Sequence, residues 1–286
     1  MPNNSIKIFF DSNVILGAAQ LRLLEESQLS YYMNLGLLKK PQTFVFANES
    51  LTKLKKLLNE KELIEIEPYV SRKVRVEVQS ILKSVLEKIL NPLRVQDEIS
   101  KMSIEDRKIF ERFIYQIFII KLPLYVNEIV DDFSSMRVDK EECEMIRDDI
   151  FNNIYRPLLP RFKNLIEKFE ISGIPNPERE RDHAEYSCMK LNLRSFRDSK
   201  SLIKFINYKT ITDLLILAEA IYSYQKLAND LRNLPEFYFV SNDTIFISVS
   251  QESLVFDKIP KLINQKYKIN VLDSKHMSEY LSRYFR

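Results

Sequence analysis

Only three glycines, Gly17, Gly36 and Gly173, occur in the 286-residue chain. Glycine supplies the left-handed positions of tight hairpins and the close backbone approach of phosphate-cradling loops. A chain this poor in glycine is expected to hold much helix and few strands. A dinucleotide-binding fold is disfavoured on the same ground, because no glycine follows the first strand at G-x-G-x-x-G spacing.

That first strand is the stretch around which the chain is organised. Residues 6–10 are apolar and β-prone, interrupted only by Lys7, and read as a mostly buried strand. Asp11 arrives where the strand stops. In open α/β sheets, catalytic groups collect beyond the carboxyl ends of strands. Two roles are therefore open to Asp11, a functional acid on a rigid rim or the N-cap of the helix that follows.

Composition narrows the classes. The length allows one elaborated domain or two, and 45% hydrophobic residues support an ordinary core. A formal charge of +3 permits nucleic-acid binding without arguing for it. Two cysteines, Cys143 and Cys188, and two histidines, His183 and His276, cannot build a disulfide framework or a cysteine-rich zinc site. The most apolar run, residues 113–126, contains Gln116, Lys121 and Pro123 and falls short of a membrane span. Asp11 splits the N-terminal apolar run, so a signal peptide is not expected. The reading is an intracellular, cytoplasmic protein with no membrane partner.

Along the chain, residues 14–32 read as helix, with a turn near Gly36. Residues 43–46 (TFVF) read as a second strand by composition. Asn48 then caps a helix over 49–60, placing Glu49 in its first turn. From 62 to 205 the character becomes helical, charged and nearly strandless, punctuated by Pro68, Pro92, Pro123, Pro157 and Pro160. Residues 103–122 carry a wide apolar face, and 141–155 form another helix. The clearest loop spans 173–183. Regular α/β character returns with a helix over 214–227, a strand over 237–240, a helix over 259–265, a strand over 268–272 and a closing helix over 274–284.

The acids fall at corresponding places. Asp11 ends the first strand, Glu49 follows the second, Asp213 opens a helix, and Asp243 follows the strand 237–240. Parallel strands wound by right-handed crossovers bring such ends to one rim. Carboxylates gathered there repel, by on the order of 4 kcal/mol per pair at about 4 Å and an effective dielectric near 20. Cations would compensate them, and oxygen-only ligation suits Mg²⁺ or Mn²⁺. Glu219 is a reserve ligand, although a position six residues after Asp213 faces another way on a helix.

The combination FFDSNVIL, TFVFANES, TDLLILAEAI and FYFVSNDTIF resembles the PIN domain, a family of mostly metal-dependent ribonucleases related to flap endonucleases. The closing INVLDSKHMSEYLSRYF is also similar to the family's usual ending. The resemblance implies that Asp11, Glu49, Asp213 and Asp243 are the catalytic acids, with Asp11, Asp213 and Asp243 on the metal. Asn13 matches the common Asp-x-Asn beginning, and Ser241 and Asn242 match the small polar residues before the last acid. The family's Glu commonly lies about one turn deeper, where this chain has Thr52 and Lys53.

The resemblance covers about residues 5–60 and 206–286. It implies an α/β fold, a PIN-like and mostly parallel central sheet flanked by helices, discontinuous over 1–61 and 206–286. Residues 62–205 are expected to form a large all-helical insertion, through which a homo-oligomer or a protein partner could form. Its basic residues, among them Arg72, Lys73, Arg75, Arg179 and Arg181, either grip phosphates or belong to a solvated helical surface. The expected function is a metal-dependent endoribonuclease acting on RNA. The alternative is an inactive PIN-like scaffold that binds RNA or protein.

Overall fold

The computed structural model describes residues 5–25, 40–59, 65–71, 100–101, 103–131, 133–135, 137–155, 157, 214–228, 235–243, 246 and 258–285. The architecture is mixed α/β, with parallel-paired strands and helices in both parts of the chain. The chain divides into two compact units, Met1–Met136 with Asp273–Arg286, and Arg137–Leu272.

In the first unit, β1 (Ser5–Phe10) pairs in parallel with β2 (Glu65–Val70), Lys7 opposite Glu67 and Phe10 opposite Val70. β3 (Ser134–Ser135) pairs with β2 at Tyr69 and Val70. Ile6, Ile8, Phe9 and Phe10 are all almost fully buried, as expected of a parallel strand covered on both faces. Phe10 stacks on Phe133 with ring centroids 5.6 Å apart.

β1 leads into α1 (Ser12–Leu24), which is buried nearly all round. α1 packs on α2 (Gln42–Asn59) and on α3 (Ile104–Val130). Gly17 sets the approach of α1 to α2, since a Cβ there would meet Phe44 Cδ1 at 3.3 Å and Ala47 Cβ at 3.5 Å. The C-terminal helix α7 (Ser274–Leu281) packs on α2 as well. Asp273 caps it, accepting from His276 N–H at 2.7 Å.

Two expectations fail here. Residues 43–46 are not a strand but the start of α2. Phe44, Ala47, Ser50, Leu51 and Leu54 are buried at helical spacing, and this longer period prevails over the local β propensity of Thr-Phe-Val-Phe. The neighbour of β1 is instead β2, inside the segment expected to be all helical. Proline commonly confines a strand to a sheet edge, but β3 reaches only Tyr69 and Val70 and leaves Pro68 without a β3 partner in register.

Pro123 does not punctuate either, because α3 runs through it to Val130. An interior proline costs about 3 kcal/mol. Leu122, Val126, Ile129 and Val130, all buried around it, offset that with roughly 1.5–3 kcal/mol each. At its start α3 is capped by Ser103, whose Oγ accepts from Asp106 N–H at 3.0 Å.

The second unit contains α4 (Lys140–Ile150), a π-helical turn (Phe151–Tyr155) and a helix over residues 214–228, here α5. β4 (Glu236–Val240), α6 (Lys258–Tyr267) and β5 (Asn270–Leu272) complete it. β4 and β5 pair in parallel, Tyr238 opposite Asn270 and Val240 opposite Leu272. The core gathers Phe237, Phe239 and Phe246, with Phe239 and Phe246 edge to face at 5.2 Å. β5 starts two residues later than expected because Lys268 takes φ 62°, the left-handed turn that ends α6. The turn near Gly36 and the loop 173–183 lie outside the described residues.

Candidate functional site

Asp11 and Glu49 belong to the first unit, and Glu219 and Asp243 to the second. Asp213 lies outside the described residues.

Asp11 follows the last residue of β1 and is 3% exposed. Its backbone is extended, at φ −71° and ψ 153°, and it is the N-cap of α1. Oδ1 accepts from Ser12 N–H at 2.6 Å and from Ser12 Oγ at 3.2 Å, and Oδ2 accepts from Asn13 Nδ2 at 2.7 Å. The Asp11 carbonyl accepts from Val14 N–H at 3.1 Å, which starts the helix. A buried carboxylate is tolerated only when hydrogen-bonded. Three donors and the positive end of α1 supply that compensation. Of the two sequence readings of Asp11, the structure shows the cap, a carboxylate held by its neighbours at the carboxyl end of a buried strand.

Glu49 is not at a helix start. Because α2 begins at Gln42, Glu49 lies two turns inside it, on its exposed side. Asn48, expected as a cap, is likewise internal to the helix. Lys53, one turn further on, donates to Ser278 Oγ at 2.7 Å, Ser282 Oγ at 2.9 Å and the Ser278 carbonyl at 3.2 Å. Its ammonium thus ties α2 to the end of α7.

In the second unit, Ser241 continues from β4 and is wholly buried, its N–H donating to the Leu272 carbonyl at 3.0 Å. Ser241 Oγ accepts from Asp243 N–H at 3.0 Å. The Asp243 carbonyl accepts from Phe246 N–H at 3.1 Å. The chain thus turns sharply after β4, with Asn242 and Asp243 partly exposed at the bend. Glu219 is 7% exposed within α5. Its burial was signalled by its isolation in the apolar run LLILAEAI.

Among the described residues, no three His, Cys, Asp or Glu side chains come together in a group suited to a metal. Of the three expected ligands only Asp11 and Asp243 are described. Their carboxylate oxygens are the hard donors that Mg²⁺ and Mn²⁺ prefer. Among the described residues, no helix is long and apolar enough to cross a membrane.

Sequence reasoning missed a polar network in the first unit. Lys7, 5% exposed, pairs with Glu67 at 2.5 Å, and the Tyr69 hydroxyl donates to the same carboxylate. Burial raises the Glu67 pKa, but the Lys7 and Tyr69 hydrogen bonds outweigh it and hold the carboxyl below its ordinary value. Burial, reinforced by the Glu67 carboxylate, pushes the Tyr69 hydroxyl up. The only available signal was Lys7 inside an apolar strand.

Comparisons with protein-family models, with curated proteins and with solved structures gave no match.

Proposed function

We propose that the protein is a Mg²⁺- or Mn²⁺-dependent endoribonuclease of PIN-like type, with Asp11, Asp213 and Asp243 as oxygen ligands and Glu49 as an auxiliary acid. The observation that carries this reading is the seat of Asp11. Its carboxylate stands where α/β sheets gather their catalytic groups, and fixed donors hold both of its oxygens. Preorganisation of this kind is what a site needs to bind a charged partner without rearrangement. Asp243 follows β4 closely, and the Ser241 hydroxyl fixes the main chain that carries it.

When bound, Mg²⁺ or Mn²⁺ supplies Lewis acidity and charge neutralisation toward a phosphodiester. The chain's own residues have simpler tasks. Ser12 and Asn13 orient Asp11, and the buried strand behind it prevents the carboxylate from swinging away. Ser241 and Asn242 shape the bend that presents Asp243. RNA cleavage with added Mn²⁺, compared between wild type and Asp11→Asn, tests the proposal. Loss of cleavage in the variant, with the fold intact, supports it.

A second reading has an observation of its own. The hydrogen bonds from Ser12 and Asn13 to Asp11 are those of a cap of α1. On that reading the protein is a PIN-like scaffold that binds RNA or protein without cutting. RNA binding with no cleavage in any divalent metal would favour it.

A further inference from the structure

We draw no further inference here: the strongest candidate, the exposed apolar side chains Ile109, Ile120 and Leu124 along α3, carries nothing, because nothing in the structure shows what covers it.

Discussion

Lys7 and Glu67 stand opposite each other on adjacent parallel strands and form an ion pair of 2.5 Å, the lysine almost wholly buried. Removing one member of a buried pair costs about 3–5 kcal/mol, because the other charge is stranded. Glu67 is 36% exposed, so water screens part of that loss, and Glu67→Ala is expected to cost roughly 2 kcal/mol. Lys7→Met should cost less, since it leaves the charge on the better-solvated partner. Urea unfolding of the two variants checks the order, and a more damaging Lys7→Met would contradict it.

The same carboxyl predicts an acid limit. Its folded pKa lies below the ordinary value of 4.5, so its contribution is complete above that value and is lost as pH falls through the folded pKa. Asp149 behaves alike, since burial is outweighed by hydrogen bonds from Lys266, Tyr267 and Asn153. Stability should therefore fall below about pH 4, and less steeply in Glu67→Gln. Tyr69 and Tyr267 shift the other way, raised first by burial and then by their carboxylate partners. Their contribution is present below pH 10 and is lost as pH rises further. Unfolding followed against pH in Tyr267→Phe should show a weaker alkaline limb.

Gly17 and Lys268 predict opposite responses to a change of side chain. At Gly17 an added Cβ gains up to about 1 kcal/mol of helix propensity against contacts of 3.3 and 3.5 Å with Phe44 and Ala47. Gly17→Ala should be near neutral, while Gly17→Leu, which must part α1 from α2, should cost several kcal/mol, on the order of 3. Lys268 adopts φ 62° without being glycine. Lys268→Gly should stabilise by about 1 kcal/mol. Thermal melts decide both, and a destabilised Lys268→Gly would refute the reading of that turn.

The parts of the fold legible in the sequence were those with a strong local signal. Residues 6–10 and 237–240 are short apolar runs ending in polar residues, and both are strands. α4, α6 and α7 stand within a few residues of their expected bounds. Residues 43–46 misled because four β-prone residues say nothing of the burial period that continues through Leu54. β2 was overlooked although Glu65-Ile66-Glu67 alternates as a half-buried strand does, because Pro68 suggests a break in the segment. Of the candidate site, the places of Asp11 and Asp243 after their strands were legible. The depth of Glu49 in α2 was not, because it depends on where that helix begins.

Asp11→Asn separates catalysis from capping. Asparagine caps a helix about as well as aspartate, so the variant should melt within about 1 kcal/mol of wild type. Metal-dependent RNA cleavage should nevertheless disappear, because the neutral amide removes the negative charge that a carboxylate offers a hard cation. Equal cleavage by wild type and variant would leave Asp11 as a cap only.

The most direct test of the proposed metal site needs no substrate. Wild-type protein is melted in excess chelator and again in millimolar Mn²⁺, alongside Asp243→Asn. A ligand that binds only the folded state stabilises by RT ln(1 + [L]/Kd), roughly 2.7 kcal/mol at a hundredfold excess over Kd. The wild-type melting temperature should rise with Mn²⁺ and that of Asp243→Asn should rise much less. An unchanged wild-type melting temperature would contradict the metal site and leave the non-cutting scaffold in its place.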